Sequence, residues 1–203
     1  MIKNIGTQLW VTNEKRDRFP LSEELIQPVG EGHLGVKGKG GLWTSTYLGK
    51  EEGSDWIQWC LGSEFGLPMG GIWKGYLLEP KKDLRLYTID SLEEMHILFD
   101  KYGYQMYPQV SIDHEGIYWE RMAQDYDALL LTEYGEAVTR HSGFFARLRE
   151  KDKNLKAEWK ARNMRSFYGW DCESTFHFRW NFTSVEPIEL NLKHKDIFDE
   201  EKA

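Results

Sequence analysis

Two acidic residues near the end of the chain, Asp171 and Glu173, are separated by a single residue. They belong to the stretch 167–174, whose aromatic content predicts a β-strand. Strand side chains alternate between the two faces, so both carboxylates would point the same way. Neighbouring carboxylates in an aromatic setting can hold a proton near neutral pH or stabilise a developing positive charge. The alternative interpretation is an exposed strand face that carries two solvated acids.

A second stretch that could support such chemistry, residues 40–47, has the sequence GGLWTSTY and predicts another strand. The indole of Trp43 could stack on a planar ring, and the hydroxyl of Ser45 could donate to a carboxylate. Their ordinary interpretations are a core aromatic and an exposed strand hydroxyl. The segment 30–41 contains six glycines and predicts a mobile loop. Such loops often cover sites, although a plain connector is the alternative.

Short strands with interspersed helices, and no strict alternation of the two, predict an α+β fold with largely antiparallel sheets. Ser54 and Ser91 have the spacing of helix N-caps, and Glu94 completes a capping box with Ser91. We expect a single domain over residues 1–192 and a charged, disordered tail over 193–203. The predicted strands cover 8–12, 42–47, 72–78, 84–89, 128–131, 175–182 and 188–192, and the predicted helices begin near 54, 91, 119 and 144.

Charge and composition limit the classes of partner. The 203 residues carry a net charge of −7, which argues against a surface that binds nucleic acid all over. A local basic stretch over 147–165 leaves a nucleic-acid contact open, with a solvated helix face as the alternative. The two cysteines, Cys60 and Cys172, lie far apart and favour a reduced, cytoplasmic chain. No apolar run reaches membrane length, so we expect no membrane partner.

Several common motifs of enzymes are missing from the sequence. We find no Walker loop, no zinc-ligand spacing, no strand-linked glycine motif for dinucleotides and no nucleophile elbow. The six histidines are scattered and suggest no Ser/His/Asp grouping. The chemistry must therefore be sought in the two acids and in the aromatic strand.

Three patches of sequence, in the same order, resemble the ADP-ribosyltransferases. Residues 8–12, QLWVT, resemble the first core strand of that family, which grips the nicotinamide amide with a Leu-Trp-His-Gly type sequence. Residues 38–45 are similar to its Gly-Ile-Tyr-Phe-Ala/Ser strand, and residues 54–60 are similar to the helix that follows that strand. Residues 44–46, Thr-Ser-Thr, are similar to the Ser-Thr-Ser motif of the arginine-specific toxin branch. The third patch, residues 171–173, lies late in the chain, where the family has its catalytic glutamate.

The resemblance implies NAD as the substrate and assigns a role to each matching residue. Glu173 would stabilise an oxocarbenium-like ribose, Asp171 would orient the acceptor or take its proton, and Trp43 would stack on nicotinamide. Ser45 would hold Glu173 by a hydrogen bond, and the backbone near Thr12 would pair with the carboxamide. For the diphosphate, the charged candidates are Arg16 and Arg18.

Two departures place the chain cleanly in neither branch of the family. Val11 stands where one branch has a histidine, and the first strand lacks the arginine of the toxin branch. The implied fold is two packed, mainly antiparallel sheets that form an NAD cleft. The implied activity is transfer of ADP-ribose to a macromolecular acceptor, either protein or nucleic acid, in a phage or toxin setting with an antitoxin or inhibitor as partner.

Two other functions fit the same residues. A non-catalytic module could use a tryptophan-rich cleft to bind a nucleotide or a sugar. A glycosidase-type hydrolase could use Asp171 and Glu173 as its acid pair. Carboxylates on the same face of one strand are poorly suited to that reaction, because the pair must flank the scissile bond.

Overall fold

The computed structural model describes residues 5–12, 21–32, 36–68, 72–106, 115–140 and 165–192. Arg16, Arg18, nearly all of the predicted helix that begins near 144 and the tail 193–203 lie outside these ranges. The strands are β1 (Gln8–Thr12), β2 (Leu42–Thr46), β3 (Ile72–Pro80), β4 (Leu86–Ile89), β5 (Gly103–Gln105), β6 (Glu115–Ile117), β7 (Ala128–Leu131), β8 (Ser174–His177) and β9 (Phe182–Asn191). The helices are α1 (Asp55–Ser63), α2 (Leu92–Tyr102), α3 (Trp119–Asp125) and α4 (Glu133–Thr139), with a short 3₁₀ turn at Glu23–Leu25.

Seven strands form one sheet in the order β4-β7-β8-β2-β1-β3-β9, and β5 and β6 form a small hairpin. β4 and β7 are parallel, and every other pair of neighbouring strands is antiparallel. The α+β class and the largely antiparallel pairing are therefore confirmed. In place of two separate sheets, the structure has one continuous sheet.

That sheet nevertheless divides in its middle, between β1 and β2. These two strands pair only at Gln8 with Thr46 and at Leu9 with Ser45. Beyond this junction β1 stays paired with β3 along its whole length, and β2 pairs with β8. Four strands therefore lie on one side of this division and three on the other. β1 and β2 are closest where Gln8 pairs with Thr46, and they diverge from Trp10 and Thr44 onwards.

Local sequence explains where the helices begin. Ser54 accepts from the amide of Ile57 at the start of α1, and Ser91 accepts from the amide of Glu94 at the start of α2. Each cap satisfies one backbone donor that the first helical turn leaves without a partner. The predicted pairing of Ser91 with Glu94 is present, but the Glu94 carboxylate accepts from the Asp90 amide at 2.6 Å, one residue before the N-cap, and from the Ser91 hydroxyl at 3.1 Å.

The largest apolar cluster of the described residues surrounds Phe176 on β8, which is fully buried. Its ring stacks on Trp43 at 4.4 Å between centroids, and the edge of Trp119 meets it at 5.1 Å. The backbone at Gly38 and Gly41 approaches so closely that a Cβ at either position would lie within 2.6 Å of this ring. These two glycines allow the loop before β2 to close over the core.

The prediction of a strand over 167–174 is wrong. Tyr168 and Gly169 form a turn closed by the Trp170 amide, which donates to the Phe167 carbonyl at 2.9 Å. Gly169 has φ of 101°, a left-handed conformation that L-residues rarely adopt, and this breaks the extended geometry. The strand begins only at Ser174, so period-two alternation does not place Asp171 and Glu173 on one face.

The strand boundaries at the end of the chain also differ from the prediction. The predicted strand 175–182 is interrupted, because β8 ends at His177 and the chain turns before β9 begins at Phe182. β9 then continues through Pro187 to Asn191. A proline is tolerated there because β9 is an edge strand of the seven-stranded sheet.

His177 gives the first testable prediction, on stability against pH. The ring is fully buried, and burial lowers its pKa from 6.5 to about 3. Between those values the unfolded chain binds the extra proton, so acidification favours unfolding. We expect His177 to cost up to ~1.4 kcal/mol of stability per pH unit as the pH falls below 6.5. Urea denaturation at a series of pH values, for the wild type and His177→Gln, measures this; parallel pH profiles of the two proteins would contradict it.

Candidate functional site

A cleft of about 260 Å³ opens where β1 and β2 diverge. β1 contributes Leu9, Trp10 and Val11 to its wall, and β2 contributes Trp43, Thr44 and Ser45. The remaining residues come from the loop before β2, from α1, from the segment before β8 and from the first residue of β8, and they are Lys37, Trp56, Trp170, Asp171 and Ser174. Four of these side chains are indoles, so the cleft suits a ligand with a planar ring.

Glu173 lies directly behind this wall and is 8% exposed. Its Oε2 accepts from the Ser45 hydroxyl at 2.8 Å and from the Thr46 amide at 2.9 Å, and its Oε1 accepts from the Thr46 hydroxyl at 2.9 Å. The predicted hydrogen bond between Ser45 and Glu173 is thus present. Since Ser45 itself lines the cleft, one hydrogen bond connects the carboxylate to the cleft wall.

The electrostatics of Glu173 result from two opposing effects. Burial raises the pKa of its carboxyl above the usual 4.5, and the negative charge of Asp55 raises it further. The hydrogen bonds from Thr46 and Ser45 lower it, because they stabilise the charged form. The net shift of the pKa is upward, so burial outweighs the hydrogen bonds that favour the charged form.

Trp43 lines the cleft and is also part of the core cluster. Phe176 stacks on its ring at an interplanar angle of 18°, and Trp170 meets it edge-on at 4.5 Å between centroids. Trp170 is in turn fixed by its indole N–H, which donates to the Val36 carbonyl at 2.8 Å. The indole is therefore rigidly held before any ligand arrives, which reduces the entropy cost of stacking.

Lys37 brings a positive charge to the same wall. Its ammonium lies 5.8 Å from the centre of the Trp43 ring and donates to the Gly169 carbonyl at 2.8 Å. This bond leaves further ammonium hydrogens for an anionic group. Lys37 was not among the residues predicted to bind a ligand, although its place in the glycine-rich loop before the strand of Trp43 was a usable signal.

Asp171 also lines the cleft, but its carboxylate faces Arg140. The guanidinium donates to Asp171 Oδ1 at 2.9 Å and to Glu136 at 3.0 Å. Asp171 and Glu173 thus lie close in sequence without forming the paired acids expected of one strand face. Arg140 stands at the end of α4, an element that the sequence did not indicate.

Of the remaining predicted ligands, the structure describes Thr12 alone. The backbone of Thr12 pairs with Lys74 of β3, while the edge of β1 that faces the cleft has no strand partner beyond Leu9 among the described residues. That edge offers backbone groups to a ligand, as the prediction for Thr12 requires. Arg16 and Arg18 lie outside the residues that the structure describes.

Other types of chemistry find little support in the described ranges. Cys60 and Cys172 are free, and burial raises their thiol pKa values to about 11 and about 12, so neither is a ready nucleophile. Within the same ranges, no group of three His, Cys, Asp or Glu side chains could hold a metal ion. None of the helices described there has both the length and the apolarity needed to cross a membrane.

Comparison with known proteins gives no relative from which a role could be transferred. No protein-family model, no curated protein and no solved structure matches this chain. The function must therefore be inferred from the cleft and its residues.

Proposed function

We propose that this protein is an ADP-ribosyltransferase that cleaves NAD and transfers ADP-ribose to a macromolecular acceptor. The observation that carries the proposal is the buried Glu173 carboxylate, bonded to Ser45 in the wall of a cleft lined by four indoles. A carboxylate held in this way suits a reaction that develops positive charge on a sugar ring. The resemblance of three sequence patches to the transferase family supports the same reaction.

In the proposed reaction, the bond between ribose C1′ and the nicotinamide nitrogen breaks, and its electron pair stays on nicotinamide. The ribose passes through an oxocarbenium-like state, which the negative charge of Glu173 would stabilise. The acceptor nucleophile then forms a bond to C1′ and gives its proton to Asp171 or to solvent water. Ser45 would keep the carboxylate turned towards the ribose through the 2.8 Å bond.

The other residues of the wall would bind the dinucleotide. Trp43 would receive the nicotinamide ring, helped by the attraction of the cationic ring to an indole face. Lys37, at 5.8 Å from the same indole, would meet the negative diphosphate. Asp171, held by Arg140 at the wall, would orient the acceptor group as it approaches C1′.

The acceptor would be a protein or a nucleic acid. The basic stretch 147–165, which suggested a nucleic-acid contact, lies outside the described residues except for Arg165. Arg165 forms ion pairs with Asp100 and Glu115, so its charge serves an internal contact.

Incubation of the protein with NAD labelled in its adenylate half and a cell lysate would test the proposal directly. Label on protein or nucleic acid supports transfer, and the absence of both label transfer and nicotinamide release contradicts it.

Lys37→Gln is expected to weaken NAD binding about tenfold, since it removes a charge-assisted contact to the diphosphate while keeping the side chain's length and polarity similar. The salt dependence of NAD binding should become shallower for the same reason. Calorimetry at two salt concentrations measures both effects. Lys39→Gln, a change of an exposed lysine two residues along the same loop, is the matched control. Equal effects of the two variants would contradict the assignment.

A non-catalytic nucleotide- or sugar-binding module is the second candidate. It is favoured by the position of Glu173, whose oxygens are already occupied by three hydrogen bonds from its own chain. Calorimetry with NAD, nicotinamide and a panel of sugars, combined with an assay for free nicotinamide, separates the two. Binding without any nicotinamide release supports the module and contradicts the transferase.

A further inference from the structure

A continuous network of buried and part-buried side-chain hydrogen bonds connects the Glu173 carboxylate to the interior of the sheet. Its central member is Gln8 of β1, which is fully buried. Gln8 Nε2 approaches the Thr46 hydroxyl at 3.3 Å, and the Thr44 hydroxyl approaches Gln8 Oε1 at 2.7 Å. Thr44 in turn lies 3.0 Å from Nε2 of His177. The hydrogen-bond network therefore runs from His177 on β8 through Thr44 on β2 to Gln8 on β1. From Gln8 it continues through Thr46 to the Glu173 carboxylate.

One contact fixes the direction of the hydrogen bonds that Gln8 and Thr46 form. Gln8 Nε2 also donates to the Gly6 carbonyl at 3.1 Å, and a carbonyl can only accept. The amide nitrogen of Gln8 must therefore point towards Gly6 and Thr46, and its oxygen towards Thr44. The Thr46 oxygen accepts from this nitrogen, which leaves the single Thr46 hydrogen for Glu173 Oε1.

The other end of the network is His177, whose Nε2 lies 3.0 Å from the Thr44 hydroxyl. Its Nδ1 lies 2.9 Å from Asn181 Oδ1. Asn181 Nδ2 donates to the Asp127 carbonyl at 3.3 Å, so Asn181 Oδ1 accepts from His177 Nδ1. The hydrogen bonds from Gln8 to Thr46 and from Thr46 to Glu173 do not depend on the hydrogen shared between His177 and Thr44.

We propose that Gln8 is a positioning residue, whose amide holds the Thr46 hydroxyl as a donor to Glu173 and so keeps the carboxylate ionised and in place. This inference concerns the site of the proposed function, but it depends on that function only for its effect on NAD cleavage. Gln8 itself is not one of the residues that line the cleft, and it contacts the wall through its hydrogen bond to Thr44.

Other ionisable groups lie near Glu173, and the proposed effect of Gln8 must be separable from theirs. Asp55 at the start of α1 opposes its ionisation, and Glu133 of α4 acts on Asp55 in turn. On the segment before β8, Asp171 is paired with Arg140, and Cys172 is held as a neutral thiol by burial. None of these groups shares a hydrogen bond with Gln8, so a substitution of Gln8 leaves them unchanged.

The experiment is a double-mutant cycle on Gln8→Met and Thr46→Val, followed by NMR. The side-chain carboxyl carbon of Glu173 is observed in protein labelled at glutamate and assigned by its loss in Glu173→Gln. We expect Gln8→Met and Thr46→Val each to raise the titration midpoint of Glu173, by about one pH unit. The double variant should match Thr46→Val alone, because Gln8 acts through that hydroxyl.

Thr175→Val is the matched control. The Thr175 hydroxyl is buried on the strand next to Thr44, yet no hydrogen-bond partner is found for it. Its replacement should leave the Glu173 midpoint unchanged. If Gln8→Met does not fold, Gln8→Glu keeps the shape of the side chain and should raise the midpoint further. Its second oxygen would face Thr46 as an acceptor and take the hydrogen that Glu173 uses.

The outcomes separate the inference from the proposed function. The role of Gln8 is overturned if Gln8→Met leaves the Glu173 titration midpoint unchanged. It is also overturned if the shifts of the two single variants add fully in the double variant. Shifts that appear in a protein without NAD cleavage at any pH support the role of Gln8 and overturn the transferase. Where NAD cleavage is measurable, the acid limb of its pH profile should move upward with the Glu173 midpoint in Gln8→Met.

Discussion

Glu173→Gln is expected to reduce NAD cleavage by about 10²–10³-fold, the usual cost of removing one electrostatic contact to a developing charge. The amide is neutral, so it cannot offset positive charge on the ribose. It keeps the shape of the carboxylate, and one oxygen can still accept from Ser45 and the Thr46 amide, which both bond to Oε2. The loss should therefore appear in kcat while the fold is retained.

Release of nicotinamide from NAD measures this effect, and circular dichroism checks the fold. Glu115→Gln is the matched control, because Glu115 is partly buried and ion-paired with Arg165, and it is not part of the cleft wall. The control should cleave NAD at the wild-type rate. Cleavage by Glu173→Gln within a few-fold of wild type would exclude Glu173 from the chemistry.

Phe176→Ala is expected to destabilise the protein by about 3–5 kcal/mol, the range measured for removal of a large buried aromatic. Phe176 is fully buried and contacts Trp43, Trp119 and Phe178 through its ring. The cavity left by alanine cannot collapse easily, because the close backbone at Gly38 and Gly41 is already packed on the ring. Ligand affinity should fall too, since Trp43 loses the ring on which it stacks.

Urea denaturation of wild type and Phe176→Ala gives the difference in unfolding free energy. Phe65→Ala serves as the control, because that ring is 54% exposed and its removal leaves no buried cavity. We expect the control to cost less than about 1 kcal/mol. A loss of similar size in both variants would show that the Phe176 cluster does not dominate the stability.

The local parts of the fold could be predicted from the sequence because local physics decides them. Ser54 and Ser91 cap helices by bonds to residues three positions away, and such spacing is visible in the chain. The strand that carries Trp43 and Ser45 is marked by its β-branched and aromatic residues. The hydrogen bond from Ser45 to Glu173 was also predicted, but from the family resemblance and not from any local rule.

The rest depends on contacts between residues far apart in sequence. The turn at Tyr168 and Gly169 resembles a strand in composition, and it forms because Phe167 and Trp170 are both buried in one core. The pairing of Asp171 with Arg140 spans 31 residues, so spacing along the chain could not indicate it. Lys37 likewise reaches the cleft through a bond to a carbonyl 132 residues away.

The narrow junction between β1 and β2 has a mechanical consequence. If the two parts of the sheet move relative to each other, the displacement is smallest at the paired residues of β1 and β2 and largest at the ends that are not paired. Ser45 and Thr46, the residues that bond to Glu173, lie where the two strands pair, whereas Val11 and Trp43 lie farther along the diverging strands. Such a motion would thus change the width of the cleft between Val11 and Trp43 while the Glu173 carboxylate stays almost stationary.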